Sequence, residues 1–392
     1  MGDSTFIRRV VLKNYKSIAA CDVRLGPLNF LVGPNGAGKS NFLEALQLVA
    51  DSLSTTFERA LRTRSWRVAP ATMEISESMG IRLDFQLPEG ISGHYAFEVK
   101  RSEVQPREEC VVRTQDGAVS SYSVVGGKVD STVAPAPPST PGRLHLVAMS
   151  SFAPFRPIYD ALAEMAFYDL EPAVLRESES GITSVLERDG GNIESIWEAL
   201  PPEARERIEQ YMAAIVPGIS FIQTAGSIEA NLQGLMFGFK AHEHADAVFF
   251  DSSEMSDGTM RAVGLLVAMF QSLRPGSPVR LVGIEEPETG LHPFAVGVLL
   301  GALREASTRT QILVTSHSPE LLDDKQITAE EILAVSIQRG ETRLGRIHPA
   351  ERSALKEHLY TPGELLRMNQ LQLDESEERL APDALKLFDL HG

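Results

Sequence analysis

Eight consecutive residues, Gly33-Pro34-Asn35-Gly36-Ala37-Gly38-Lys39-Ser40, follow the spacing G-x-x-x-x-G-K-[ST] of a phosphate-binding loop. Its glycines let backbone N–H groups turn inward on phosphate oxygens. Its lysine reaches the β and γ oxygens, and the hydroxyl that follows completes a Mg²⁺ shell. Asn35, Gly36, Gly38, Lys39, Ser40 and the adjoining Asn41 are therefore the candidate nucleotide contacts, with Ser40 a candidate metal contact. Two further segments end an apolar run in polar groups. Arg280-Leu281-Val282-Gly283-Ile284 runs into Glu285-Glu286-Pro287-Glu288, which places Glu285 as the metal-side acid and Glu286 as the carboxylate that orients or deprotonates an attacking water. Taken alone, these acids read equally as a turn after a core strand; the loop upstream favours the chemical reading. Gln311-Ile312-Leu313-Val314-Thr315 runs into Ser316-His317-Ser318-Pro319, where His317 is placed to contact a γ-phosphate or its water.

Strands and helices must hold these groups. The apolar run Leu28–Val32 predicts a strand delivering the loop, and Phe42, Ala45, Leu46 and Val49 recur at helical spacing after it, so a helix N-terminus lies beneath the phosphates. Ser256, Gly258 and the start of an apolar helix (Ala262, Leu265-Leu266, Met269) form a second anion cradle; without further context the segment is a helix start capped by Ser256 or Asp257. Strands are expected near Ile7–Leu12 and Cys21–Leu25. Residues 80–86 and 94–100 alternate apolar and polar around Pro88-Glu89-Gly90, as a hairpin with one buried face does. Strand signals continue near 109–112 and 121–124, and Val133–Gly142 is a proline-rich loop. Periodic apolar faces, including Met165-Ala166, predict short helices from about Pro157 to Val216. Strands return near 219–224, 234–240 and 247–250, and the C-terminal half alternates strand and helix as a mostly parallel sheet does.

The chain has 392 residues, 43% of them hydrophobic, enough for one large α/β domain with insertions or two smaller ones. No apolar run reaches the ~18 residues of a membrane span, and the start lacks the features of a signal peptide. Cys21 and Cys110 have no partner spacing and read as thiols of a cytoplasmic protein. A net charge of −16 restricts any nucleic-acid contact to a local patch. Arg59, Arg62, Arg64 and Arg67 around Trp66 are the candidate DNA contact, and they also read as a solvated helix end with arginines suited to its C-terminus. The tail, Asp374–Glu378 followed by Ala384-Leu385-Lys386-Leu387-Phe388, reads as an acidic linker with an apolar patch, either disordered or docking a partner.

The ordered set Asn14-Tyr15-Lys16-Ser17, Gly33 to Ser40, Met255-Ser256-Asp257-Gly258-Thr259, Ile284 to Pro293 and Thr315 to Pro319 resembles the ABC-type ATPase heads of the RecF, structural-maintenance-of-chromosomes (SMC) and overcoming-lysogenisation-defect group, in particular the compact bacterial AAA_21 and AAA_15 families. The resemblance spans about Phe6 to Ile347. It implies an α/β P-loop head whose mostly parallel sheet is flanked by helices, with an N-terminal antiparallel β subdomain and a helical insert. Expected segments are an N-terminal lobe over 1–150, the helical insert over 151–225, a C-terminal lobe over 226–350 and an extension over 351–392. It also implies ATP and Mg²⁺ as cofactors and a homodimer in which Ser256, Gly258 and Thr259 of one head act on ATP held by the other. By the same resemblance Lys16 and Ser17 contact nucleotide, Glu285 is the metal-side acid, Glu286 the catalytic acid and His317 the switch histidine. Glu285 stands where an aspartate is usual, Asp257 where a second signature glycine is usual, and Gln86, at the end of a hairpin strand, is the candidate glutamine loop. The roughly 75 residues after His317 show no acidic nuclease constellation, which implies a separately encoded effector such as a nuclease. The setting implied is bacterial DNA maintenance or phage defence. A stand-alone DNA-repair ATPase and a nucleotide-gated scaffold with little hydrolysis are the alternatives.

Overall fold

A computed structural model describes residues 4–63, 78–100, 105–177, 185–224, 234–240, 246–274, 276–277, 279–374 and 381–390. The chain divides into two compact units, one of Thr5–Met165 with Asp324–Gly392, the other of Met1–Ser4 with Ala166–Asp323.

In the first unit, strands β1 (Ile7–Tyr15) and β2 (Ile18–Arg24) pair antiparallel across the turn at Lys16-Ser17, with Asn14 and Lys16 in the left-handed region at φ 54° and 50°. Strand β3 (Leu28–Val32) is buried at all five residues, as an apolar run in the middle of a sheet must be. It delivers the loop that opens the helix Lys39–Ser54, whose buried stripe includes Phe42, Ala45, Leu46 and Val49. The helix Phe57–Thr63 follows. Then come β4 (Ser78–Gln86), β5 (Ser92–Lys100), β6 (Arg107–Arg113), β7 (Val119–Val125) and β8 (Lys128–Ser131), an antiparallel meander that joins β1 through β4. Gln86 closes β4 opposite Ser92. Residues 133–142 carry no helix or strand, as their prolines require.

The second unit begins with β9 (Ala166–Tyr168), where the sequence predicted helix. Three residues are too few to show a period of two, and parallel pairing with a buried neighbour decides their conformation. That neighbour, β13 (Leu281–Glu285), also pairs parallel with β14 (Gln311–Ser316). Between β9 and β13 the chain forms the helices Pro172–Arg176, Ile193–Ala199, Pro202–Ile215 and Asp257–Phe270, and a separate antiparallel sheet of β10 (Ile219–Thr224), β11 (Leu235–Phe239) and β12 (Val248–Asp251). The helix Pro293–Ser307 connects β13 to β14. Among the described residues no helix is long and apolar enough to cross a membrane.

The chain then returns to the first unit as the hairpin of β15 (Ile332–Gln338) and β16 (Glu341–Gly345), with β15 parallel to β3 and β16 meeting β2 at Thr342↔Ile18. Two expectations change here. The β4–β5 hairpin is buried on both faces, since Met79–Leu83 and His94–Phe97 are all buried, not on one. The reason is the C-terminal segment: Leu387 and Phe388 are 4% and 6% exposed and pack on Val11 and Ala96, so the apolar patch of the tail is ordered against its own sheet. Residues 375–378 of the acidic run lie outside the described residues.

Candidate functional site

The phosphate cradle is built within the first unit. Gly36 and Gly38 take φ of +76° and +99°, a region that costs a side chain but not a glycine. A Cβ on Gly38 would lie 2.1 Å from the Thr342 hydroxyl, so this position tolerates glycine on two independent grounds. Thr342 donates to the Ala37 carbonyl at 2.7 Å and shares a 2.6 Å hydrogen bond with the Ser17 hydroxyl, which in turn accepts from the Asn41 amide at 2.6 Å. The backbone adds a bond from Thr342 N–H to the Ser17 carbonyl. Ser17 and Asn41 thus act together as a brace that fixes the loop against β16, and Lys16 forms an ion pair with Glu44 of the following helix. Lys39 is 5% exposed and its ammonium donates to the Gly33 and Pro34 carbonyls at 2.9 and 3.1 Å. Asn35, Gly36 and Ser40 are exposed on the rim. Spacing alone does not reach Thr342, which comes from a hairpin more than 300 residues later in the chain.

The acidic and histidine segments meet within the second unit, because β13 and β14 are parallel neighbours whose C-terminal ends lie side by side. Glu286 leaves β13 with φ 43°, and its N–H donates to the Thr315 carbonyl and hydroxyl at 3.0 and 3.2 Å. Its carboxylate lies 3.0 Å from His317 Nδ1, both side chains being partly exposed. Glu285 faces Arg188, which lies 3.4 Å from its carboxylate and 3.9 Å from Asp169. Glu288 points inward: Ser316 donates to it at 2.6 Å, and burial raises its carboxyl above the ordinary range.

The Ser256 segment belongs to the same unit. Ser256 is the N-cap of the helix Asp257–Phe270 and accepts from the Thr259 N–H at 3.1 Å. A Cβ on Gly258 would lie 2.7 Å from the Gly290 carbonyl, so the residues after the acidic turn rest directly on this helix start. Asp257 is 75% exposed and paired with Arg176. Four residues along the same helix, Arg261 donates to the carbonyls of Glu285 and Glu286 at 3.3 Å and of Leu170 at 3.1 Å, tying the helix to the acid turn. Sequence reading passed over Arg261, although its place one turn after Asp257 in an apolar helix was a usable signal. Of the basic cluster, Arg59 and Arg62 lie on the helix Phe57–Thr63, with Arg62 paired to Glu58, whereas Arg64, Trp66 and Arg67 lie outside the described residues.

A glycine-rich loop with a buried lysine at a helix start, and parallel strands ending in paired acid and histidine, define a P-loop nucleoside triphosphatase. Two family models match the chain, "AAA ATPase domain" over residues 6–103 and "AAA domain, putative AbiEii toxin, Type IV TA system" over residues 143–323. Among curated proteins, the chain is similar to the DNA replication and repair protein RecF of Vibrio vulnificus (strain YJ016), 42% identical over 59 residues, which is 15% of this chain and 16% of that protein. RecF of Aliivibrio fischeri (strain MJ11) is 33% identical over 87 residues, 22% of this chain and 24% of that protein. The chain therefore spans less than a quarter of the length of these relatives. In fold it is similar to an SMC head bound to the C-winged helix domain of ScpA, with a TM-score of 0.53 at 14% identity over 88% of this chain and 99% of that one. Each family model covers less than half of the chain; in these matched stretches and in its fold the chain is similar to ABC-type ATPases of the RecF/SMC group.

Proposed function

We propose that this protein binds ATP in the Gly33–Ser40 cradle, dimerises head to head around it, and uses hydrolysis to gate a separate protein effector in bacterial DNA maintenance or anti-phage defence. The observation that carries the reading is the cradle itself: a buried lysine holding two carbonyls of its own loop, with glycines in the left-handed region and a helix N-terminus below. On binding, Lys39 exchanges its carbonyl partners for phosphate oxygens. The backbone N–H groups of Gly36 and Gly38 receive the phosphate charge, and Lys16, Ser17, Asn35 and Asn41 line the rim. Ser40 and Glu285 offer hard oxygen donors, the chemistry Mg²⁺ takes, and the metal would neutralise charge that develops on the phosphoryl oxygens. Glu286 takes the proton of the attacking water, and His317, 3.0 Å from it, holds its orientation. Ser256, Gly258 and Thr259 close on the nucleotide of the partner head.

The similarity to a DNA replication and repair protein, and to an SMC head solved with the C-winged helix domain of ScpA, supports a setting in DNA maintenance with a bound protein partner. The test is steady-state ATPase activity together with molecular mass, for wild type, Lys39→Ala and Glu286→Gln, with and without ATP and duplex DNA. Loss of hydrolysis in both variants, with an ATP-held dimer trapped only in Glu286→Gln, is the expected result. Absence of both hydrolysis and an ATP-dependent change of mass in wild type would sink the stand-alone ATPase and leave a subunit active only within a complex. Stimulation by DNA that is lost on neutralising Arg62, Arg64 and Arg67 would instead favour direct DNA contact.

A further inference from the structure

Strand register places three ranks of side chains on one face of the first unit's antiparallel sheet. Arg9, Asp84, His94 and Val111 stand opposite one another in the first rank, Val11, Arg82, Ala96 and Glu109 in the second, and Lys13, Gly80, Glu98 and Arg107 in the third. Charged groups thus surround a low floor of Gly80, Val11 and Ala96. Onto this floor the chain lays Leu385-Lys386-Leu387-Phe388-Asp389-Leu390, of which none is in a strand.

Each part of the segment has a matching receptor group. Leu387 occupies the space over Gly80, where a Cβ would come within 2.3 Å of its Cδ1. Phe388 lies under the Arg107 guanidinium, 4.0 Å from it. Asp389 receives both terminal nitrogens of Arg82, at 3.0 and 3.1 Å, and Arg82 also donates to the Leu387 carbonyl at 3.2 Å. The Glu109 carboxylate accepts from the N–H groups of Asp389 and Leu390 at 2.7 and 3.0 Å and is oriented by His94 at 2.7 Å. A bidentate arginine for an acid, a carboxylate for two backbone amides and a glycine-floored slot for a leucine are what a receptor for an extended peptide presents. No backbone ladder joins the segment to the sheet, so a substitute needs only the same side chains and no shift of strand register.

We propose that this face is a recognition site for peptides of the pattern Leu-x-Leu-Phe-Asp-Leu, filled by the chain's own C-terminal segment, and that the tail of a second copy exchanges into it. Every copy carries both ligand and receptor, so exchange between two copies is reciprocal and closes with twofold symmetry. The site is independent of the nucleotide reading, and its test involves no ATP.

The experiment uses the full chain. A variant with Phe388→Ser and Asp389→Ala weakens its own tail, and a labelled peptide of residues 384–392 is titrated against it and against wild type by fluorescence anisotropy. The weakened variant is expected to bind the peptide at least tenfold tighter than wild type, and a peptide with Asp389→Arg to lose at least tenfold. Size-exclusion chromatography of the weakened variant mixed with an Arg82→Ala chain, whose site is weakened and whose tail is intact, is expected to give a mixed 1:1 complex that free peptide dissolves. For the unaltered chain, excess peptide is expected to speed hydrogen exchange at the amides of Asp389 and Leu390 at least tenfold, a readout that does not depend on the variant folding. Unchanged exchange there, or equal affinity of the two chains for the peptide, overturns the recognition site. Peptide binding without a mixed complex overturns the exchange between copies.

Discussion

The cradle after β3 and the acid turn after β13 solve one geometric problem in opposite ways. Each follows a buried strand and bends through the left-handed region, the cradle at Gly36 and Gly38 and the acid turn at Glu286. Glycine adopts this conformation freely, whereas a residue with a Cβ pays about 1–2 kcal/mol. In the function proposed above the cradle works through backbone N–H groups, which glycine leaves accessible, so the relaxed choice is also the one that function needs. The acid turn presents a carboxylate and accepts the strain, offset by the hydrogen bonds its own N–H donates to the Thr315 carbonyl and hydroxyl and by the two from Arg261 that clamp its backbone. Where the proposed chemistry falls to backbone, the loop is strain-free and intolerant of added atoms; where it falls to a carboxylate, the loop is strained and braced.

The largest effect that bears on this contrast is chemical. Replacing Glu286 with Gln keeps the backbone and removes the proposed base, so ATP turnover should fall by about 10²–10⁴ while ATP binding, followed by calorimetry, stays within a few-fold of wild type. If binding falls as steeply as turnover, the residue is serving the nucleotide and not the water. Next in size, Gly38→Ala forces a side chain into positive φ and against Thr342, and should lower unfolding free energy by about 2–4 kcal/mol in urea titrations. A near-neutral result would mean that the cradle is as adaptable as the acid turn. Glu286→Gly makes the second loop resemble the first. It should raise stability by up to about 1 kcal/mol as the strain is relieved, although the same variant should hydrolyse no ATP.

The smallest effect concerns pH. Burial raises the Glu288 carboxyl, so the folded protein holds that proton to higher pH than the unfolded chain does. Stability tied to the proton is fully present below the unfolded carboxyl value of about 4.3 and is lost as pH rises through the folded value. Glu288→Gln removes this loss. Its urea midpoint should therefore exceed that of wild type by more at pH 7.5 than at pH 4.5, and an equal difference at both would show that the fold does not raise the Glu288 carboxyl.

Local patterns made much of this legible in advance. The loop spacing, the apolar run before it and the helical stripe after it each reflect contacts within a few residues, and β3 and the helix Lys39–Ser54 stand where the sequence places them. The N-cap at Ser256 was likewise readable, because a hydroxyl three residues before its amide partner is a local arrangement. Misreadings occurred where a distant segment decides the outcome. Ala166–Tyr168 is a strand only because β13 runs beside it. The alternation of residues 80–86 correctly announced a polar face, but nothing near it in sequence announced that residues some 300 positions later would cover that face.

By itself, the sequence determined the residue types that chemistry needs and the short-range geometry around them: glycines where the backbone must turn, a lysine and hydroxyl at a helix start, acids and a histidine at strand ends. These follow from sterics and hydrogen bonding within a turn or two, which adjacent residues control. Only tertiary structure decided which groups meet. Parallel pairing of β13 with β14 sets Glu286 beside His317, the β15–β16 hairpin brings Thr342 to Ala37 and Ser17, and the outer sheet face receives Leu387, Phe388 and Asp389. Each such meeting requires loop closure over tens to hundreds of residues, and its stability comes from burial and pairing that no sequence window contains.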